Sequence, residues 1–507
     1  MTKNSWVLIA SILASSMAFI DGSALNVAIP SLQKAFLASG GDILWILNGY
    51  FLMLAAFILP AGALGDKLGR KKVFMAGIVL FMLASLACGC SWNVESLIIA
   101  RIVQGLGGAL MIPGSLALIN ATVSEQERGK AIGTWSAVTT LVTICGPILG
   151  GVLADLNLWR AVFFLNLPLG LLALLVLATQ VPESRNEADS GPIDIAGALL
   201  LAIGLGALSY GILEIPDLGF NHIQIRIALS SGVALLLGFI FHQAHSKNPM
   251  MPLHLFNNRS FLGSNLLTLF LYGALSAGMF FLSLNMIQVQ GYSQTIAGFS
   301  TLPLALLLST LSRRMGGLSD RFGPRLFLTI GPAIVALGFI LLSLPGQTHG
   351  AQDYWTSFFP GIMVFGLGMS ITVAPLTTTV LASADQNYSG TASGINNAVS
   401  RIAAVLAIAT LGAIALSSFQ HSLEKHITGI PLTKAIHESL EKESKKLAAT
   451  PVPASLPAAI QARVQNSIHQ SFIQSYQLIM LICAALSGLS ALMAFLMVVN
   501  PKQSAIS

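Results

Sequence analysis

Two short charged stretches decide the fold of this chain: GALGDKLGRKK at residues 62–72 and GGLSDRFGPR at residues 316–325. When Asp66 is aligned with Asp320, Gly69 aligns with Gly323, and the two aspartates are 254 residues apart. Long apolar segments flank both stretches. Six membrane spans with their loops take roughly 190 residues, so this separation leaves room for two further spans between two halves. We predict an all-α polytopic membrane protein with two six-helix bundles and two inserted helices.

The composition also indicates a membrane protein. Of 507 residues, 54% are hydrophobic and 9% are charged, and the mean hydropathy is +0.77. Soluble globular chains carry roughly 25% charged residues, so a soluble enzyme is excluded. Fourteen spans of about 20 residues would occupy roughly 280 residues, which this chain can supply.

Apolar segments between charged or Gly/Pro-bearing breaks predict fourteen transmembrane helices. They divide into an N-terminal six-helix bundle at 1–183, an inserted helix pair with its linkers at 184–258, and a C-terminal six-helix bundle at 259–507. The predicted spans are 6–30, 43–65, 73–91, 95–121, 129–154, 160–181, 194–214, 225–245, 260–287, 295–317, 326–345, 354–382, 390–419 and 472–498.

The basic residues predict the orientation of the bundle. Fifteen Lys and Arg residues fall on the segments of one side, against three on the short loops of the other side. Because Lys and Arg are enriched in cytoplasmic loops, we expect both termini in the cytoplasm. The net charge of +6 is then a topology signal. Nucleic-acid binding is not expected, since no Lys/Arg stripe is interleaved with aromatic residues. The short polar tails favour a bacterial inner membrane.

One long hydrophilic segment, residues 420–471, is predicted to lie on the external side. Glu/Lys pairs at helical spacing, the break TPVPASLP and a mildly amphipathic second part indicate two short helices around a bend. Two interpretations remain open. The segment is either a passive surface excursion, or a gate or binding surface for a periplasmic or other external partner.

Ionisable side chains inside the hydrocarbon core are costly, and they therefore indicate functional sites. We place Asp21 about 8 Å and Arg101 about 9 Å below the external boundary of the core. Their matching depth makes them candidates for a proton-coupling pair, because desolvation raises the pKa of a carboxyl group and a nearby guanidinium lowers it. A static ion pair that joins two helices is the alternative. Gln104 lies on the same helix face as Arg101.

The second half also has a predicted buried polar patch, with Arg401 near the bilayer midplane and Asn397 about one turn before it. Together with the polar residues of the first half, this patch predicts a substrate cavity between the halves. The predicted cavity residues are Asp21, Arg101, Gln104, Gln288, Asn397 and Arg401.

The sequence lacks motifs for nucleotide-driven pumping and for hydrolysis. GxxxxGK[ST], HExxH and GxSxG are all absent. The four cysteines lie in apolar runs, and no His or second Cys pair accompanies Cys88 and Cys90. We expect no enzymatic activity, no cofactor and no metal site, so any pumping must draw on an ion gradient.

Five stretches, in order along the chain, resemble motifs of the major facilitator superfamily and of its branch of 14-span drug:proton antiporters. Any one of these motifs is moderate evidence, but five at the expected spans are strong evidence, and the resemblance covers nearly the whole chain. The stretches are FIDGSALNVAIP at 19–30, GALGDKLGRKK at 62–72, ARIVQGLGGA at 100–109, CGPILGG at 145–151 and WRAVFFLNLPLG at 159–170.

The resemblance implies alternating access by rocking of the two bundles, with Asp21 and Arg101 carrying proton coupling. It implies that the fifth-span motif limits leak, and that charged loop residues control a cytoplasmic gate. The motif residues are Gly146, Pro147, Gly150 and Gly151, and the gate residues are Gly62, Asp66, Gly69, Arg70, Asp320 and Arg321.

The chain departs from the family pattern in two places. After Arg401 the thirteenth span reads IAAVLAIAT, where relatives commonly have glycines. Exporters of cations often place several carboxylates within their spans, whereas here only Asp21 is deeply placed. Neutral, zwitterionic and anionic amphiphiles therefore stay open as substrates.

The leading hypothesis is a secondary active transporter that exports small amphiphilic or drug-like compounds by proton antiport. Its partners would be the small-molecule substrate, protons and the lipid bilayer. A dedicated transporter of a single metabolite, peptide or siderophore is the alternative within transport. A membrane sensor or scaffold that acts through residues 420–471 is a more distant alternative.

Overall fold

The structure is a computed structural model that describes residues 3–184, 193–384 and 388–500, apart from a few side chains within helices such as that of Asp66. All regular elements in these residues are helical. A 3-10 turn at Leu253–Asn257, a π-helix at Asn285–Val289 and 3-10 turns at Ala351–Asp353 and Ser444–Ala449 accompany the α-helices. The α-helices are α1 (Lys3–Phe36), α2 (Gly40–Leu68), α3 (Arg70–Gly89), α4 (Val94–Thr122), α5 (Glu125–Asp155), α6 (Ala161–Phe164), α7 (Asn166–Gln180), α8 (Ile195–Leu213), α9 (Ile215–Leu218), α10 (Ile223–His245), α11 (Arg259–Leu284), α12 (Gln294–Ser300), α13 (Leu302–Phe322), α14 (Pro324–Ser343), α15 (Tyr354–Ser357), α16 (Phe359–Ala382), α17 (Ser389–Ile427), α18 (Lys434–Glu443) and α19 (Ala458–Met497).

Thirteen helical segments in the described residues are long and apolar enough to cross a membrane. The predicted fifth span corresponds to α5, whose apolar part, Leu141–Asp155, is shorter. The prediction of an all-α polytopic membrane protein is confirmed.

Several helices continue beyond the predicted spans. The first span was predicted to end at Pro30, whereas α1 continues to Phe36. The thirteenth continues to Ile427, and the last begins at Ala458. Apolar length measures the thickness of the hydrocarbon core, and a helix does not have to end where the core ends. Of the two short helices predicted in 420–471, α18 is a separate helix and the second is the first turns of α19.

The two halves repeat one pattern of helix packing. In the first half, a Cβ on Gly77 of α3 would lie 3.1 Å from the Gly107 carbonyl oxygen of α4. In the second half, a Cβ on Gly331 of α14 would lie 3.0 Å from the Gly368 carbonyl oxygen of α16. Gly77 and Gly331 are 254 positions apart, as are the aspartates of the two charged stretches. The sequence repeat therefore corresponds to a repeated pair of closely packed helices.

Two seams form most of the contact between the halves. In the first seam α2 lies beside α17, with Leu44 against Gly412 and Leu59 against Gly394. In the second seam the last turns of α5 pack on α12. The second seam lies at the end of the bundle that carries α18, here called the α18 end, which the topology prediction assigns to the outside.

The inserted helices α8 and α10 pack on each other and brace the first seam. Leu201 and Leu205 of α8 share an apolar cluster with Leu52 of α2 and Val405 of α17. The inserted pair therefore contacts both halves rather than forming a separate unit.

Asp194 joins the two inserted helices at the end opposite α18. Its carboxylate accepts hydrogen bonds from the Gly197 N–H at 2.8 Å and from Gln243 Nε2 at 2.5 Å, and His242 Nε2 lies 2.7 Å away. Burial raises the pKa of this carboxyl group, but these hydrogen bonds outweigh burial and hold the pKa below its usual range. The Asp194 carboxylate thus connects the start of α8 to the end of α10 through hydrogen bonds.

We expect Gly107→Ala to destabilise the protein, because the added methyl group would lie 2.6 Å from the Phe81 backbone nitrogen. Forced separation of two packed helices typically costs about 1–3 kcal/mol, so the apparent Tm should fall. The matched control is Gly238→Ala on α10, where a Cβ would meet no atom within 4 Å. Thermal unfolding of both variants in detergent checks this, and equal Tm values would contradict the repeated close packing.

Candidate functional site

A buried polar network joins α1 to α4 in the first half. Arg101 forms an ion pair with Asp21, in which Arg101 Nη1 donates to Asp21 Oδ2. Gln104 Nε2 donates to the other carboxylate oxygen at 2.8 Å. Asp21 and Gln104 are 0% exposed and Arg101 is 1% exposed, so the network is dry in this conformation. Both oxygens of the Asp21 carboxylate are therefore satisfied by protein donors.

The start of α4 determines where Arg101 lies. Asn93 accepts the Ser96 N–H at 2.9 Å and Ser96 Oγ lies 3.4 Å from the Asn93 N–H, which together form a capping box. Arg101 follows about two turns later, which places it about 10 Å into the helix. Arg101 also donates from Nε to the Ile46 carbonyl oxygen of α2 at 3.2 Å, so it links three helices.

Neighbouring polar groups complete the network around Gln104. Gln104 Oε1 accepts from Arg101 Nη1 at 2.6 Å, and Gln104 Nε2 also donates to Ser85 Oγ at 2.7 Å. Asn166 Nδ2 of α7 donates to the same Ser85 oxygen at 3.1 Å. Gln104 is thus held in one orientation, with its oxygen toward the guanidinium and its amide toward the carboxylate.

Tyr50 of α2 is a site residue that the sequence prediction missed. The Arg101 guanidinium lies over the Tyr50 ring, 4.4 Å from its centroid. Gly105 makes room for this arrangement, since a Cβ there would overlap the Tyr50 carbonyl oxygen. The glycine that directly follows a turn-spaced Arg/Gln pair signals close approach of another helix, but nothing in the sequence says that the helix carries a tyrosine.

Arg401 lies on α17 of the second half, between the two bundles. It is half-buried, and its Nε has no hydrogen-bond partner among the described residues. It is close enough to interact electrostatically with the hydroxyls of Tyr50 and Tyr272, which belong to different halves. Tyr50 is therefore near both the Asp21–Arg101 pair and Arg401.

The other two predicted cavity residues lie apart from the Asp21 network. Asn397 is exposed and donates to the Ser393 carbonyl oxygen of its own helix at 3.0 Å. Gln288 lies at the α18 end, where its Nε2 donates to Gln33 Oε1 of the first half at 2.5 Å. The structure thus places Gln288 in the contact between the halves.

The neighbouring Asn396 forms two hydrogen bonds to another helix of the second half. Its Nδ2 donates to Thr268 Oγ1 of α11 at 2.7 Å and to Asn265 Oδ1 at 3.2 Å. This bond set fixes α17 against α11 next to Arg401.

The fifth-span motif has two packing faces. Gly146 and Gly150 face α1 of the same half, where added Cβ atoms would overlap Ser23 Oγ and the Ala24 carbonyl oxygen. Close helix packing of this kind requires residues without side-chain bulk. The first face of the motif therefore holds α5 against the helix that carries Asp21.

The second face of the motif packs on the other half. A Cβ on Gly151 would overlap the Gln294 carbonyl oxygen of α12, and a Cβ on Gly298 would overlap the Pro147 carbonyl oxygen. Each half thus contributes a glycine that packs directly on the backbone of the other half. The motif therefore lies at a contact between the two halves.

The two glycines predicted in the gate, Gly62 and Gly69, have different backbone conformations. Gly69 has φ +112° and connects α2 to α3, and its equivalent Gly323 has φ +88° between α13 and α14. These positive φ angles favour glycine. Gly62 lies within α2, and a Cβ there would meet open space.

The charged gate residues lie at the end opposite α18. The Arg70 N–H donates to the Ser184 carbonyl oxygen at 2.9 Å, so the first loop is fastened to the chain segment that follows α7. Asp320 and Arg321 are exposed. The Asp66 side chain lies outside the described part of the structure, and its predicted role stays a prediction.

Comparison with known proteins agrees with this geometry. The family model of the Major Facilitator Superfamily matches residues 11–408. The chain is 33% identical over 422 residues to the multidrug resistance protein Stp of Mycobacterium tuberculosis, covering 83% of this chain and 77% of that protein. It is 32% identical over 412 residues to the methylenomycin A resistance protein of Bacillus subtilis, covering 80% and 87%. Among solved structures, a bacterial homolog of the human lysosomal transporter Spinster, inward-facing and unoccupied, has a TM-score of 0.67 at 18% identity and covers 98% of both chains.

We expect Arg101→Gln to destabilise the fold more than Asp21→Asn/Arg101→Gln. The single variant leaves a buried carboxylate without its cation, which costs about 3–5 kcal/mol, whereas the double variant removes both charges. Thermal unfolding of the three proteins in detergent measures the order. Direct coupling would be contradicted if the loss of stability in the double variant equalled the sum of the losses in the two single variants.

Proposed function

The chain belongs to the major facilitator superfamily, and we propose that it is a secondary active transporter that exports small amphiphilic or drug-like compounds in exchange for protons. The observation that carries the proposal is the buried network of Asp21, Arg101 and Gln104, a titratable carboxylate inside a membrane bundle. Titratable groups within spans are characteristic of proton relays in transporters. The resistance functions named for the two relatives favour export.

Protonation of Asp21 changes the forces between α1 and α4. In the charged form Asp21 accepts from Arg101 and Gln104, while Arg101 retains a bond to the Ile46 carbonyl oxygen. A proton on Asp21 removes the ion pair and leaves Arg101 with its neutral acceptors. The two protonation states therefore stabilise different packings of α1 on α4, which is how a proton gradient would bias a conformational equilibrium.

Access to the carboxylate has to alternate. Asp21 is 0% exposed, so a proton reaches it only after helices move. In transporters built from repeated halves, rocking of one half against the other opens the central site to each side in turn. The repeated packing of this chain provides two such halves.

The substrate would bind between the halves, near Tyr50, Tyr272 and Arg401. Two aromatic rings and a half-buried guanidinium suit a compound with an apolar body and a polar group. Asn397 and Gln104 would provide further polar contacts, and Gln288 would act nearer the α18 end. No nucleotide or metal is needed, because the proton gradient supplies the energy.

We further propose the location and orientation of the protein. It would lie in a bacterial inner membrane with both termini in the cytoplasm and α18 outside, as the Lys/Arg distribution favours. The glycines and charged residues of the two repeated loops would then form the cytoplasmic gate.

Proteoliposomes with an imposed pH gradient test the function. The probes are ethidium as the cation, chloramphenicol as the neutral compound and 8-anilinonaphthalene-1-sulfonate as the anion. We expect gradient-driven transport of at least one probe, and Asp21→Asn should abolish it while probe counterflow without a gradient continues. The reason is that Asn retains the shape of Asp but cannot carry the proton.

The matched control is Asp353→Asn, a half-buried aspartate outside the spans that should leave transport unchanged. Gradient-driven transport by Asp21→Asn at the wild-type rate would overturn the coupling role. Mutual competition among the probes indicates a promiscuous pocket, whereas transport of one probe without competition favours a dedicated transporter.

A further inference from the structure

Asp155 links the two halves at the α18 end. It is the last residue of α5, and its carboxylate accepts the Gln294 N–H at 3.0 Å and the Thr295 N–H at 2.8 Å. These N–H groups belong to the first turn of α12, where a helix has no partners of its own for them. A carboxylate of the first half therefore caps a helix of the second half.

Two further hydrogen bonds cross the same end. Ser31 Oγ and the Gln294 side-chain amide lie 3.0 Å apart, and Gln288 Nε2 donates to Gln33 Oε1 at 2.5 Å. Asp155 contributes a charged acceptor to this set. Charge-assisted hydrogen bonds are about twice as strong as neutral ones, so Asp155 should dominate the set.

The surfaces beneath these hydrogen bonds are suited to separation. Gly151 and Gly298 each face backbone atoms across the seam, so these two contacts involve no interdigitating side chains. Asp155 itself is exposed, and water can replace its two donors when the seam opens. The seam between α2 and α17 differs, because it is apolar and is braced by α8.

We propose that Asp155 is a positioning residue of the transport cycle, which holds α5 on α12 while the α18 end is closed and releases α12 when this end opens. The functional part of this inference rests on the proposed transport. Its structural part, that the Asp155 carboxylate keeps the seam closed, does not.

Hydrogen exchange with mass spectrometry tests the structural part on the full-length protein. In Asp155→Ala we expect exchange at residues 294–300 to rise about tenfold, with a parallel rise at residues 31–36 of α1. The matched control is Asp353→Ala, because Asp353 at the same end accepts the His349 N–H at 2.8 Å within its own half. Exchange in that variant should change only near His349. A rise confined to Gln294 and Thr295 would mean that Asp155 is a local cap, and it would overturn the proposal.

A reversible cross-link tests the functional part. We expect Ser31→Cys/Gln294→Cys, treated with ethane-1,2-diyl bismethanethiosulfonate, to lose at least about tenfold in gradient-driven transport and to recover with dithiothreitol. The matched control pair is Gln290→Cys/Thr348→Cys, because these side chains hydrogen-bond at 2.8 Å within the second half. Its transport should not change on treatment.

The two arms separate the possible failures. Full transport by the cross-linked Ser31→Cys/Gln294→Cys protein would show that this seam does not open during transport. This result would overturn the role of Asp155 but would not count against the proposed export function. Absence of transport of all three probes by the untreated wild-type protein would count against the proposed function instead. The exchange experiment would then still decide whether Asp155 holds the seam closed.

Discussion

The ion pair between Asp21 and Arg101 is the constraint around which the first half is arranged. An isolated charge in a membrane interior is costly, and a buried pair is tolerated only with good geometry and with its remaining acceptors satisfied. Gln104 supplies the second donor to the carboxylate, and Ser85 fixes the orientation of Gln104. The glycines of α4 and α5 follow from this requirement, because α2 and α1 must approach closely enough for the network to remain dry.

The same ion pair explains why the site is divided between the halves. The first half holds a paired acid and base, whereas the second half brings Arg401, which stands apart from this pair. Tyr50 is near both, because it lies under the Arg101 guanidinium and within electrostatic reach of Arg401. Any movement of one half against the other therefore changes the electrostatic environment of both arginines at once. Conformation and charge are coupled in this way.

Much of the fold could be predicted from the sequence, because a bilayer imposes simple requirements on length and charge. Apolar length located the spans, and the 254-residue spacing of the charged loops indicated the two halves, which the packing of Gly77 and Gly331 repeats. Depth along α1 and α4 placed Asp21 and Arg101 at one level. The positions of helix ends outside the hydrocarbon core could not be predicted, because hydropathy does not report where a helix ends in water.

Partners that depend on tertiary contact were also beyond the sequence. Tyr50 and Ser85 belong to apolar segments with no local pattern that marks them as site residues. Gln288 has a partner of the same kind. Its hydrogen bond to Gln33 of the first half depends on how the two halves meet, which no local sequence pattern reports.

The two seams differ in a way that determines how the halves can move. The seam between α2 and α17 is apolar, runs along both helices and is shared with α8. The seam between α5 and α12 is confined to the α18 end, is formed by glycine against backbone and is held by polar groups that water can replace. The contacts described at the second seam are polar hydrogen bonds and glycine–backbone contacts, whereas those at the first seam are between apolar side chains. For the transport that we propose, the favoured opening motion would therefore be a rotation about the α2–α17 side that separates α5 from α12. Such a rotation would break the hydrogen bonds of Asp155 to α12 but would preserve the contacts that keep the two halves and the inserted pair together.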